Sequence, residues 1–144
     1  MDNEFTSIDL AYVAGFFDGE GNVGIYKSTR AESGRSNYAV SMGIANTDRS
    51  TLEYIQGLLG GTLSEKTANR RRGYRPLYVL EWYCGKARDV LRLLLPYLKT
   101  KYKQAELAIY YQDSIVSHRY RDTQLDKDLK EVLYQMSRNL KREG

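Results

Sequence analysis

Residues 10 to 21 read LAYVAGFFDGEG, and the organisation of the whole chain follows from this segment. Ala11, Gly15 and Gly19 recur at intervals of four residues, so a helix here places them along one face. Because their side chains are small, the backbone of a second helix can approach that face closely. Glu20 then lies in a glycine-rich turn at the helix end, where the second helix also ends.

A second copy of the same segment would fit this face. Two Glu20 carboxylates would then converge at the helix ends, and like-charged oxygens at short range favour divalent cations between them. The segment therefore predicts a shared metal site between two copies. The predicted dimer interface consists of Ala11, Ala14, Gly15, Asp18 and Gly19.

The same segment resembles the signature of the LAGLIDADG homing endonucleases. The resemblance continues in Ile44-Ala45-Asn46-Thr47-Asp48, which is similar to the family's junction between a strand and the second helix. It continues again in LPYLKTKYKQA at residues 95 to 105, so that it covers roughly residues 7 to 112. One signature is present, and family members with one copy act as homodimers. The resemblance thus implies a homodimeric, intron-encoded endonuclease that cuts a long, pseudo-palindromic double-stranded DNA target and leaves 3′ overhangs.

The resemblance also implies the catalytic residues. In the family, the residue at the position of Glu20 binds the catalytic Mg²⁺ together with the backbone carbonyl of the preceding residue, here Gly19. Mn²⁺ is expected to substitute, and Ca²⁺ is expected to bind without supporting cleavage. Lys101 matches a basic residue that assists the hydrolytic water network or offsets transition-state charge. Asp48 lies near a position whose polar residue positions water, although a helix N-cap is an equally simple role for it.

Other interpretations of these residues remain open. A helix rich in Ala and Gly that ends in Asp-Gly also fits an ordinary core helix with a glycine cap. The spacing Gly19-x-Gly21-x-x-Gly24 matches a dinucleotide-binding fingerprint, but that fingerprint requires a strand before it and a helix after it. Here the order is reversed. Within the family fold, an RNA-splicing maturase with intron RNA as partner and a cleavage-dead DNA-binding protein are the alternative functions.

The hydrophobic patterning predicts one α+β domain over residues 1–144 with the order αββαββα. The core fold covers residues 1–112, and residues 113–144 form a C-terminal helical extension. Thr6 or Ser7 is the expected first N-cap, with Asp9 in the first helical turn. The helices are predicted at about 8–19, 48–59, 86–95, 101–118 and 123–140, and the strands at 22–30, 36–45, 62–67 and 74–83.

A four-stranded antiparallel sheet with helices on one face leaves its other face free for DNA. A β-ribbon fits the major groove, where Lys, Arg, Asn and Ser side chains reach base edges. The arginines at residues 70–72 suit phosphates better than bases. The predicted DNA-binding residues are Asn22, Tyr26, Ser28, Arg30, Arg35, Asn37, Ser41, Ser64, Lys66, Arg70, Arg71, Arg72 and Arg75.

Composition agrees with an intracellular nucleic-acid-binding protein. The net charge is +4, and an acidic N-terminal segment contrasts with the basic residues 62–83. Cys84 is the only cysteine and His118 the only histidine, which excludes internal disulfides, Cys/His zinc modules and histidine-dependent nucleases. No apolar run approaches a membrane span, and the first residues do not resemble a signal peptide, so a prokaryotic cytoplasm or an organelle is expected. The basic residues of the last helix, including Lys127 and Lys141, fit a solvated surface better than a DNA contact.

Overall fold

The chain folds as an α+β domain with the predicted order of elements. The computed structural model describes residues 6–34, 36–66, 72–118 and 124–143. The strands are β1 (Gly21–Thr29), β2 (Ser36–Asn46), β3 (Thr62–Lys66) and β4 (Leu77–Tyr83). The helices are α1 (Ser7–Glu20), α2 (Arg49–Leu59), α3 (Cys84–Leu94), a 3₁₀ turn (Leu95–Tyr97), α4 (Tyr102–His118) and α5 (Gln124–Glu143).

Helix α1 is fixed at both ends by local chemistry. Thr6 is the N-cap: its hydroxyl accepts a hydrogen bond from the Asp9 N–H, and the Asp9 carboxylate accepts one from the Thr6 N–H, each 3.0 Å long. This reciprocal capping box satisfies donors that the first helical turn leaves unpaired. At the other end, a Cβ on Gly21 would overlap the Phe17 side chain, so glycine is required where α1 passes directly into β1.

The four strands form one antiparallel sheet in the order β1-β2-β4-β3. Met42 lies opposite Val23 on one neighbour and Trp82 on the other, so the apolar residues of three strands share a face. That face packs against the helices and holds the core residues Val23, Ile25, Val40, Met42, Ile44, Leu80 and Trp82. The other face, called the open face below, carries the apolar residues Leu77 and Val79 of β4. Its other residues are small or polar: Asn22, Gly24, Tyr26, Ser28, Asn37, Ala39, Ser41, Gly43, Ala45, Thr62, Ser64, Lys66, Glu81 and Tyr83.

Several predicted boundaries differ from the structure, and two of the differences involve a proline. Strand β4 begins at Leu77 rather than at residue 74, because Pro76 has no N–H for a ladder bond and restricts the residue before it. The third helix starts at Cys84, directly after β4, and its end continues into a 3₁₀ turn that contains Pro96. Proline is tolerated there because the first residues of a helical turn lack intrahelical acceptors for their N–H groups.

Helix α5 packs beside the free edge of β1. The Ser137 hydroxyl accepts a 3.0 Å hydrogen bond from the Ile25 N–H, which points away from the sheet. Glu131 accepts hydrogen bonds from the Lys27 ammonium at 2.7 Å and from the Tyr38 hydroxyl at 2.6 Å. The helical extension therefore closes the edge strand, although the helices otherwise lie on the core side. Within the described ranges, no helix is both long enough and apolar enough to cross a membrane.

Candidate functional site

The outer face of α1 is uncovered. Ala11, Gly15 and Gly19 are exposed, and a Cβ added to either glycine would meet no atom within 4 Å. The same side carries exposed apolar residues, with Ile8 79% and Tyr12 49% accessible. On the opposite side of the helix, Val13, Ala14 and Phe17 are 0% exposed. A helix that is apolar on both sides is typical of one enclosed by partners on both sides.

Two residues of the predicted interface make contacts within their own chain. Ala14 is 0% exposed and packs in the core of its own chain, one residue out of phase with Gly15. The Asp18 carboxylate also faces its own chain, because it accepts backbone N–H bonds from Lys99 at 2.7 Å and Lys101 at 3.0 Å. Ala11, Gly15 and Gly19 stay available for a partner.

Glu20 is the last residue of α1, and both Glu20 and Gly19 are exposed. A carboxylate and a backbone carbonyl offer oxygen ligands only, which is the donor set that Mg²⁺ prefers. Among the described residues there is no group of three or more His, Cys, Asp or Glu that could hold a metal ion. The carboxylate of Glu20 and the carbonyl of Gly19 fit a magnesium ion in donor type.

Asp18 holds Lys101 next to the C-terminal end of α1. Its ammonium donates a 2.7 Å hydrogen bond to the backbone carbonyl of Asp18, the residue before Gly19. Burial raises the pKa of the Asp18 carboxyl, but N–H bonds from Lys99, Lys101 and Thr100 outweigh burial and hold that pKa below its usual value. An ionised Asp18 therefore fixes the 99–101 loop and with it the predicted catalytic lysine.

Asp48 is the N-cap of α2. Its carboxylate accepts hydrogen bonds from the Ser50 hydroxyl at 2.7 Å and the Thr51 hydroxyl at 3.0 Å. These bonds, that of Ser50 first, lower the pKa of Asp48. Arg49 pairs with Glu53 and lies over the Tyr78 ring. The capping role of Asp48 is confirmed, whereas its catalytic role stays a prediction.

The open face brings together the predicted DNA-binding residues of three strands. Ser28 lies opposite Asn37, and Gly24 lies opposite Ser41, while Ser64 and Lys66 project from β3 on the far side of β4. Arg30, Arg72 and Arg75 are exposed outside the strands. Arg35, Arg70 and Arg71 lie outside the described residues. The residues that share the open face are Asn22, Tyr26, Ser28, Asn37, Ser41, Ser64 and Lys66.

Two charged residues of this face were not predicted from the sequence. Glu81 lies on the open face opposite Gly43, and the alternation of Leu80, Glu81 and Trp82 contains that signal. Lys141 reaches the Tyr26 hydroxyl from α5, 115 residues away in sequence. No local sequence pattern indicates a contact between residues so far apart in the chain.

The structure is an α+β fold with helices on one side of an antiparallel sheet. Its first helix has an uncovered outer face and ends in the exposed carboxylate of Glu20. A family model described as LAGLIDADG endonuclease matches residues 13–104. The chain belongs to the LAGLIDADG endonuclease family, and its class of activity is that of a nuclease. No curated protein matches the sequence.

Solved structures share the fold at low sequence identity. The homing endonuclease I-CvuI, solved with a DNA target, superimposes with a TM-score of 0.77 at 21% identity, over 93% of this chain and 82% of that one. The archaeal intron-encoded I-Vdi141I, complexed with DNA, gives a TM-score of 0.70 at 20% identity over 96% and 85% of the two chains. The endonuclease I-LtrWI, bound to target DNA, gives a TM-score of 0.71 at 15% identity. The match covers 93% of this chain but only 45% of the I-LtrWI chain.

Proposed function

We propose that the chain is a homodimeric, Mg²⁺-dependent, site-specific DNA endonuclease that serves intron homing inside a cell. The observation that carries this proposal is the uncovered small-residue face of α1, which ends in the exposed Glu20. Each chain supplies one half of a metal site and one DNA-binding sheet. Two-fold symmetry then makes the target a pseudo-palindrome.

The length of related structures supports the dimer. This chain corresponds to 45% of I-LtrWI, so the longer protein has room for a second copy of the fold. A second molecule of this chain would supply the equivalent of that second half. Gly15 and Gly19 leave the space that a second α1 backbone needs for close approach.

Metal chemistry would come from oxygen ligands at the end of α1. Glu20 and the Gly19 carbonyl of each chain would hold Mg²⁺, which activates water and stabilises the leaving 3′ oxygen. Glu20 keeps the carboxylate of the more common aspartate and lengthens its reach by one methylene. Lys101, anchored on the Asp18 carbonyl, would supply positive charge beside the scissile phosphate.

The open face of the sheet would lie in the major groove. Its Asn and Lys side chains and those of Ser28 and Ser64 are exposed, and the opposite face of the same strands packs in the hydrophobic core. Similar structures are recorded with DNA: I-CvuI, I-Vdi141I and I-LtrWI were each solved in complex with DNA. The same surface in this chain would read bases with Asn22, Ser28 and Lys66.

A selection with purified protein tests the proposal. A randomised duplex library is captured in Ca²⁺, Mg²⁺ is then added, and both bound and cut DNA are sequenced. The same protocol is run with Glu20→Gln and with a matched control, Glu106→Gln, which removes an exposed carboxylate from α4. We expect cleavage near the centre of a pseudo-palindrome by the wild type and by the control. Glu20→Gln should retain the DNA and leave it uncut.

Three outcomes would contradict the proposal in whole or in part. DNA that is retained but never cut by the wild type would indicate a binding protein without catalysis. A wild type that retains no duplex would leave the RNA-splicing alternative, which capture of structured intron RNA would then test. If the Glu20→Gln variant still cut DNA, Glu20 would not be the essential metal ligand, although the chain would still be an endonuclease.

A further inference from the structure

Lys141 extends from the end of α5 onto the open face of the sheet. Its ammonium lies 2.5 Å from the Tyr26 hydroxyl and 4.3 Å from the centre of the Tyr26 ring. The Tyr26 hydroxyl in turn lies 3.4 Å from the Asn22 side-chain oxygen. A lysine from the helical extension thus joins two residues of the predicted DNA-binding surface.

The strand and the helix together make the space for this side chain. A Cβ on Gly24 would lie 2.8 Å from the Lys141 Cε and 2.9 Å from its Nζ, so the lysine stem occupies the place of a missing side chain. One helical turn earlier, Ser137 is 5% exposed and accepts the Ile25 N–H. That bond sets the position of α5 along β1. Lys141 therefore has a fixed place, unlike a lysine on a solvated helix face.

The chemistry of this place favours an anion. A lysine ammonium has three N–H donors, and Tyr26 takes one of them, which leaves the charge and up to two donors for another acceptor. Helix α5 lies beside the edge strand β1, so Lys141 reaches the open face from the edge of the sheet. If the sheet entered a groove of DNA, this lysine would lie at the border of that groove. In duplex DNA the groove is flanked by phosphates.

We infer that Lys141 binds a DNA phosphate at the edge of the major groove and that Tyr26 and Gly24 position it there. This inference rests on the proposed function, because it requires the open face to bind duplex DNA. It gives the C-terminal extension a role in binding and makes Tyr26 a support for Lys141 as well as a surface residue. A surface lysine without these contacts would lose more side-chain entropy on binding.

The salt dependence of DNA binding tests the inference. Affinity for one selected duplex is measured in Ca²⁺ over a range of salt concentrations for the wild type and Lys141→Met. The slope of log K against log salt is negative, and each lost phosphate contact reduces its magnitude by about 0.9. We expect a decrease of about 0.9 per subunit for Lys141→Met and restoration of the slope by Lys141→Arg. Lys127→Met, an exposed lysine in the first part of α5, is the matched control and should leave the slope unchanged.

The supporting residues give a second, graded measurement. Tyr26→Phe keeps the ring under the ammonium but removes the hydroxyl, so affinity should fall less than in Lys141→Met. Gly24→Ala should displace the lysine stem and reproduce most of the Lys141→Met loss. Thermal unfolding of each variant, followed by Trp82 fluorescence, separates loss of contact from loss of fold.

The failure of the inference and that of the proposed function are distinguishable. An unchanged slope in Lys141→Met, with normal binding by the wild type, would overturn the phosphate contact and leave the endonuclease proposal intact. A changed base preference at one target position, with the slope unchanged, would also overturn it by making Lys141 a base-reading residue. If the wild type bound no duplex, the proposed function would fail and the inference with it.

Discussion

Asp18 connects the end of α1 to the loop that carries Lys101. Its carboxylate accepts hydrogen bonds from two backbone N–H groups of that loop, and its backbone carbonyl accepts a hydrogen bond from the Lys101 ammonium. One residue thus determines where the helix end lies relative to the predicted catalytic lysine. Its side chain serves the chain's own structure, so substitutions here should affect stability and geometry before metal binding.

We expect Asp18→Ala to lower the free energy of unfolding by about 1 to 2 kcal/mol, at the low end for charged hydrogen bonds because the site is only partly buried. Asp18→Asn, which retains one acceptor oxygen, should cost less. Urea unfolding followed by Trp82 fluorescence measures both. Equal costs for the two variants would contradict the assignment of the carboxylate as a double acceptor.

At the scale of elements, two adjacent glycines join α2 to β3. Gly60 and Gly61 have φ angles of +74° and +102°, in the region that side chains disfavour. A Cβ on Gly61 would lie 2.8 Å from the Trp82 Nε1, whereas one on Gly60 would meet nothing within 4 Å. Trp82 is fixed there by its 3.1 Å bond to the Leu59 carbonyl.

This pair gives a matched comparison of strain with and without crowding. Gly60→Ala should cost about 1 to 3 kcal/mol through backbone strain. Gly61→Ala should cost about 1 to 3 kcal/mol more, because the indole must also move. Urea unfolding gives the stabilities, and the emission of Trp82, the only tryptophan, reports the displacement. A shifted emission in Gly60→Ala alone would reverse the assignment.

We expect the attachment of α5 to the sheet to depend on pH through Glu131. The Lys27 ammonium, followed by Tyr38 and Gln135, lowers the pKa of Glu131 from 4.5 to about 2. A lowered folded-state pKa means that the stabilising contribution is complete above the unfolded-state value and is lost as pH falls from about 4.5 to about 2. We expect the wild type to lose stability more steeply in this window than Glu131→Gln. Urea midpoints across the window measure the difference, and parallel curves would contradict it.

At the scale of the whole molecule, assembly should depend on the outer face of α1. Gly15→Leu fills the space that a second helix backbone needs, so we expect a monomer that binds DNA weakly and does not cut it. Gly57→Leu is the matched control, because Gly57 is an exposed helical glycine of α2 with nothing within 4 Å of its Cβ position. Sedimentation velocity distinguishes the two. A dimeric Gly15→Leu protein would place the interface elsewhere.

Sequence patterns predicted what is local and repetitive. The alternation of apolar residues in β2 predicted its two faces, and the interval of four residues predicted the uncovered stripe of α1. Ala14 was assigned to the wrong side, because it lies one residue from Gly15 and only the position of the core distinguishes them. Asp18 and Lys141 could not be assigned from pattern, since their partners lie 81 to 83 and 115 residues away.

The closure of the β1 edge by Ser137 bears on the fate of damaged or truncated chains. An unpaired strand edge is a template on which other chains add strands, and fibrils grow by that addition. In the intact molecule, α5 occupies this edge and bonds the Ile25 N–H. A chain cleaved before α5 would keep β1, with its buried Val23 and Ile25, but lose the helix that covers its edge. Proteolysis there would then convert a folded protein into a seed for insoluble aggregates.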